Sequence, residues 1–211
     1  HEQLSAALKQ IGVPTDLIER DTQWLLDRIC ALLPEKDQMA ATAALEHFTS
    51  MLGTLVLANP SLLAEVHSSM QPLFIWHAIE ESEHKAVAFD LYQDTVGSYP
   101  RLMIAYLWTT TVLVLLSGYF QVRLMAKDRS IFNIGATIKG LHWMFGFGNN
   151  AGHFRRMLPE VLTFFRPNFH PWEHDNSAEI AHWKGVLKQL KQEQGKTAKR
   201  KSSAQPALTV V

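Results

Sequence analysis

The chain has 211 residues, 47% hydrophobic and 19% charged, enough to bury a sizeable core in one domain or in one domain with an appendage. Twenty basic and twenty acidic residues cancel, which excludes a general nucleic-acid binder. A single cysteine, Cys30, rules out an internal disulfide and fits a reducing compartment, where it is expected to pack as a small hydrophobe.

The start, His1-Glu-Gln-Leu-Ser-Ala-Ala-Leu, reads as the middle of a helix, shows no visible signal-peptide pattern and looks truncated or processed. Pro14-Thr15-Asp16 opens a helix to about Leu33, with Leu17, Ile18, Leu25, Ile29 and Leu32 at helical spacing. Pro34 ends it, and Asp37 is placed to cap the next, which runs to Ala58 and is closed by Asn59-Pro60. A short helix through Leu62 to Val66 precedes one long helix from about Pro72 to Thr95, stopped by Gly97. No stretch shows sustained strand alternation, so the fold class is all-α, a helical bundle.

After Tyr99-Pro100 the composition changes. No formal charge lies between Arg101 and Arg123, a length that covers roughly 30 Å as a helix, about one hydrocarbon core. Trp108 and Tyr119 suit membrane interfaces, and Arg123, Lys127 and Arg129 form a basic flank. A buried helix of a large bundle satisfies the same composition, and hydropathy alone does not separate the two. Ile131 to Phe147 is apolar and glycine-rich, an interfacial or re-entrant companion. A helix over 153–165, an aromatic and proline-rich connector over 166–172 and a last helix capped by Asn176 or Ser177 follow. From Gln192 onward the chain reads as a disordered basic tail. The division expected is a metal-binding bundle half over 1–98, an apolar helical region packed on it over 99–191, and a tail over 192–211.

The run His77-Ala-Ile-Glu80-Glu81-Ser-Glu83-His84 carries the chemistry. On a helix of 3.6 residues per turn His77, Glu81 and His84 share one face, and Glu-x-x-His is the half-site of di-iron-type carboxylate bundles. Glu80, three residues after His77 and four before His84, is placed to orient an imidazole. Glu46, among small residues on another helix, is the candidate bridging or capping carboxylate. The other reading of Glu46 is a surface glutamate on an amphipathic helix. His47 lies off Glu46's face and reads as structural. Histidine plus glutamate suits iron, zinc or manganese.

These residues resemble a bacterial family described as predicted metal-dependent hydrolases. The resemblance rests on Ala44-Leu-Glu46-His-Phe-Thr49, on Trp76-His77-x-x-Glu80-Glu81-x-Glu83-His84-Lys-x-Val-Ala-Phe-Asp90-x-Tyr92, and on Phe169-His-Pro-Trp172. It implies a ferritin-like bundle, and the His-x-x-x-Glu-x-x-His helix is also similar to that of di-iron arylamine N-oxygenases. Carried over, Glu46 matches a third-helix carboxylate, and His77, Glu81 and His84 match fourth-helix ligands. His1 matches the last histidine of a Gln-Glu-x-x-His-x-x-x-His run whose remainder is absent from this sequence. The resemblance thus implies an enzyme with two metal ions, iron first and zinc or manganese as alternatives. The hydrophobic bulk after residue 101 suits an apolar or aromatic small-molecule substrate and membrane contact; the chemistry expected is oxygen activation or hydrolysis, in the bacterial cytoplasm or at the inner membrane, with homo-oligomers among its partners. The competing expectation is a non-catalytic, membrane-associated helical protein with an incomplete metal site.

Overall fold

A computed structural model describes residues 2–10, 12–148 and 152–203. Ten α-helices and two short 3-10 turns, at Ser130–Phe132 and Pro171–Glu173, make up its regular structure, with no strand among the described residues. The first helices are α1 (Glu2–Gln10), α2 (Thr15–Leu32), α3 (Glu35–Ala58) and α4 (Pro60–Ala64). They are followed by α5 (Gln71–His84), α6 (Val87–Thr95) and α7 (Tyr99–Lys127). The last are α8 (Ile134–Phe145), α9 (His153–Thr163) and α10 (Ser177–Ser203). Pro34, Asn59-Pro60 and Gly97 fall at the helix ends expected of residues that cannot donate to, or do not favour, a helical turn.

Helix α3 is the centre of the molecule and meets α5, α6, α7, α9 and α10. Small side chains make this possible. Ala40, Ala43 and Ala44 are fully buried and let Phe89, Tyr92, Leu102 and Tyr106 of α6 and α7 close on the backbone of α3. At the crossing with α5, a Cβ on Gly53 would sit 2.8 Å from the Ala78 carbonyl oxygen, so glycine sets that approach. A second apolar cluster joins Leu57, Ile75 and Ile79 to Ile180, Trp183 and Leu187 of α10. The Trp183 indole there donates to the Leu57 carbonyl at 2.9 Å. A third, Phe48, Met51 and Met157, holds α9 on α3.

Four expectations need correction. The single helix foreseen over 72–95 is two, α5 and α6, broken at Lys85-Ala86. The break leaves the Ala88 N–H without an intrahelical acceptor, and the Glu46 carboxylate accepts it at 3.2 Å. Cys30 is exposed rather than packed, because α2 is peripheral and lies mainly against α1. Asp37 does not cap α3, which starts two residues earlier; its carboxylate pairs with Arg101 at 2.6 Å. Asn176 does not cap α10 with its side chain, which hydrogen-bonds Thr54 and Lys85 instead; Asp175 accepts from the Ser177 N–H at 2.9 Å. Beyond these, α10 continues through Gln192 to Ser203, and 204–211 lie outside the described residues.

Candidate functional site

Helix α5 presents the predicted metal donors on its outer side. Ile75, Ala78, Ile79 and Ser82 take the inner side against α3, which turns His77 and His84 into solvent with side chains 61% and 62% exposed. The donors fall into two separate pairs one helical turn long. His77 Nε2 lies 3.6 Å from Glu81 Oε1, and His84 Nε2 lies 3.9 Å from Glu80 Oε2. Leu73, Phe74 and Trp76 are exposed near them on the same helix. Glu46, on α3, sends its carboxylate to the first turn of α6, where the free N–H and the helix dipole both favour an anion. His1 lies outside the described residues.

Three histidine, cysteine or carboxylate side chains do not come together in any group suited to hold a metal ion among the described residues. The expectation of a dimetal centre, with iron, zinc or manganese and hydrolytic or oxygen-activating chemistry, is therefore corrected, and with it the reading of the chain as a metal-dependent enzyme. The physical reason is geometric. Sharing a stripe on one helix aligns His77, Glu81 and His84 along an axis, but a metal needs donors from facing helices that converge on a point. Glu46, the carboxylate expected from a facing helix, serves as a helix cap instead.

The buried polar group that the fold does assemble is announced by no motif. Lys85, at the α5–α6 break, donates from Nζ to the His174 carbonyl at 2.6 Å and to Asn176 Oδ1 at 2.9 Å, and lies 4.1 Å from the centre of the Trp172 ring. Asn176 Nδ2 donates in turn to Thr54 Oγ1 at 3.0 Å, and His174 Nε2 meets Thr163 Oγ1 at 2.9 Å. Burial pulls the Lys85 ammonium below its ordinary value, opposed by Asp175 and Glu160; burial likewise raises the Glu160 carboxyl, opposed by His174 and Lys85. Beside them His47 is enclosed by Phe164, Phe169 and Tyr106, its ring stacked 4.5 Å from that of Phe164, and neither ring nitrogen has a partner. Burial, with the His174 and Lys85 charges, pushes the His47 imidazole down to about 3. The signal available in the sequence was a lone lysine inside the apolar stretch that follows His84.

The other unusual surface is apolar. Helix α7 buries Leu102, Ala105 and Tyr106 against the bundle but only 17% of its most apolar 18-residue window. Ile104, Trp108, Leu115 and Val122 form one exposed stripe at helical spacing along its length. The stripe continues through Phe132, 80% exposed, into α8, which buries no residue. There Ile134, Ile138, Leu141 and Phe145 share an outward face, while Trp143 packs on His153 of α9 with ring centres 4.6 Å apart. By length and composition α7 is an apolar helix able to reach across or along a membrane, the one such helix among the described residues.

Residues 1–175 match the family model described as predicted metal-dependent hydrolase. The chain belongs to that family. Comparison with curated proteins and with solved structures gives no match. Glu46 and the His77-to-His84 segment lie inside the matched residues, and the fold keeps their donors apart.

Proposed function

We propose that this member of the predicted metal-dependent hydrolases is a non-catalytic, membrane-associated helical protein of a bacterial inner membrane, carrying an incomplete metal site. The observation that carries the reading is the exposed apolar surface of α7 and α8. Just over half of the large apolar side chains exposed in the described residues, 15 of 28, fall between 104 and 147, about a fifth of the sequence. Scattered apolar residues are ordinary on a protein surface, whereas a concentration of this kind marks a partner or a bilayer.

The attachment is interfacial rather than a crossing. One side of α7 is committed to the bundle through Leu102 and Tyr106, and Tyr119 donates to Asp21 at 2.9 Å, so a single side is left for lipid. Helix α8 has the one-sided apolar face of a segment that lies in the headgroup boundary. The bundle around α3 is read as ferritin-like on the family resemblance.

Flotation of the full chain with phosphatidylcholine vesicles tests the proposal. The parent protein is expected to rise with the vesicles. The double variant Leu115→Glu, Val122→Glu is expected to stay at the bottom with unchanged helix content, since both positions are exposed in the fold. A parent protein that remains soluble and unbound, or a variant that floats equally well, would overturn it.

A further inference from the structure

At the end of the apolar surface the charge balance of the chain is locally broken. From 123 to 148 there are four basic residues, Arg123, Lys127, Arg129 and Lys139, against one acidic residue, Asp128, although the whole chain is neutral. The Asp128 carboxylate is engaged by the Ser130 N–H at 2.8 Å. All four basic residues are exposed, and among the described residues none of them makes an ion pair within 4.0 Å. Elsewhere among the described residues Lys9, Arg20, Arg101, Arg166 and Lys184 are paired with carboxylates and Arg28, Lys36 and Lys188 are not; what sets 123–148 apart is four such groups against a single acidic residue beside the apolar surface.

Position matters as much as number. Arg123 and Lys127 occupy the last two turns of α7, immediately beyond the exposed Val122. Arg129 follows in a left-handed conformation (φ 63°) that reverses the chain into the 3-10 turn carrying Phe132. Lys139 then projects from α8 off the Ile134–Ile138–Leu141–Phe145 face, where a long side chain can extend past the apolar boundary. Basic groups fringing an apolar face complement a surface with apolar depth and a negative rim. Lys127 also sits well at a helix C-terminus, but the helix dipole explains neither Arg129 nor Lys139.

We infer that Arg123, Lys127, Arg129 and Lys139 bind the phosphate headgroups of an anionic bilayer, so that attachment selects anionic over neutral lipid. This rests on the membrane reading above and adds to it a lipid class. Each basic group near an anionic surface contributes about a fivefold gain in partitioning, so the four together contribute on the order of several hundredfold. The gain shrinks as salt shortens the Debye length from about 10 Å at 0.1 M toward about 3 Å at 1 M.

The test is flotation of the full chain with two vesicle types, phosphatidylcholine alone and equimolar phosphatidylcholine and phosphatidylglycerol, at low and high salt. The parent is compared with the variant Arg123→Gln, Lys127→Gln, Arg129→Gln, Lys139→Gln, after circular dichroism has confirmed equal helix content. The expected result is at least a hundredfold preference for phosphatidylglycerol in the parent. That preference is lost at high salt and in the variant, while binding to pure phosphatidylcholine is unchanged. Equal partitioning of the parent into both vesicles overturns the headgroup inference and leaves the membrane reading standing. A preference that survives intact in the variant overturns the assignment to these four residues. Binding to neither vesicle overturns both.

Discussion

Replacing His47 with phenylalanine should change how stability depends on pH far more than it changes stability at neutrality. In the folded protein the imidazole is held neutral by burial down to about pH 3, against 6.5 for an ordinary histidine. Below 6.5 the unfolded chain takes up a proton that the folded chain refuses, so this residue destabilises the fold increasingly as pH falls, until the folded value is reached. One pH unit in that window costs about 1.4 kcal/mol, and from pH 7 to pH 4 the loss from His47 comes to about 3 kcal/mol. At pH 7 the phenylalanine removes two buried, unpartnered ring nitrogens, a gain of order 1–3 kcal/mol. That gain is offset by a similar cost of crowding against Phe164 and Tyr106. The assay is denaturant unfolding of parent and His47→Phe, followed by helix dichroism at pH 7 and at pH 4. The variant should keep about 3 kcal/mol that the parent loses. If the two proteins lose stability in parallel across this range, the account of a neutral, enclosed imidazole is refuted.

Three more predictions follow from single contacts. Lys85→Met should cost about 3 kcal/mol in urea unfolding, since it deletes two charge-assisted hydrogen bonds and leaves the His174 carbonyl and the Asn176 amide oxygen unsatisfied; a loss below about 1 kcal/mol would contradict this. Gly53→Ala should destabilise by about 1–2 kcal/mol. The Cβ overlaps the Ala78 carbonyl, and its cost exceeds the gain of about 1 kcal/mol from better helix propensity; a stabilised variant would show that α3 and α5 can part freely. Glu46→Ala should lower stability by about 1 kcal/mol through loss of the α6 cap, with elemental analysis finding no stoichiometric metal in parent or variant; metal bound by the parent and lost in the variant would restore Glu46 as a ligand.

Much of the helix plan is legible in the sequence because its signals are local. Pro34, Asn59-Pro60 and Gly97 stop helices by their own backbone chemistry, and the uncharged run from 102 to 122 announces an apolar helix whatever surrounds it. The split between α5 and α6 is not legible. Residues 84–88 contain neither proline nor glycine, and the break is supported by Glu46, 42 positions earlier, and by Lys85 bonding to residues about 90 positions later.

The candidate site divides along the same line. By itself the sequence determines that His77, Glu81 and His84 share a stripe, because helical pitch is a property of one segment. Only the tertiary structure decides which way that stripe points. Gly53 lets α3 approach α5 on the side of Ala78 and Ser82, and this leaves both histidines in solvent and the donors in two pairs. Periodicity fixes an angle about a helix's own axis, whereas coordination needs several axes to converge, and that is set by which helices pack together. The same reasoning holds for the long apolar segment: its composition is equally that of a core helix or a lipid-facing one. That choice belongs to the packing of α7, which buries Leu102 and Tyr106 on α3 and leaves Ile104, Leu115 and Val122 more than half exposed, with Trp108 partly covered.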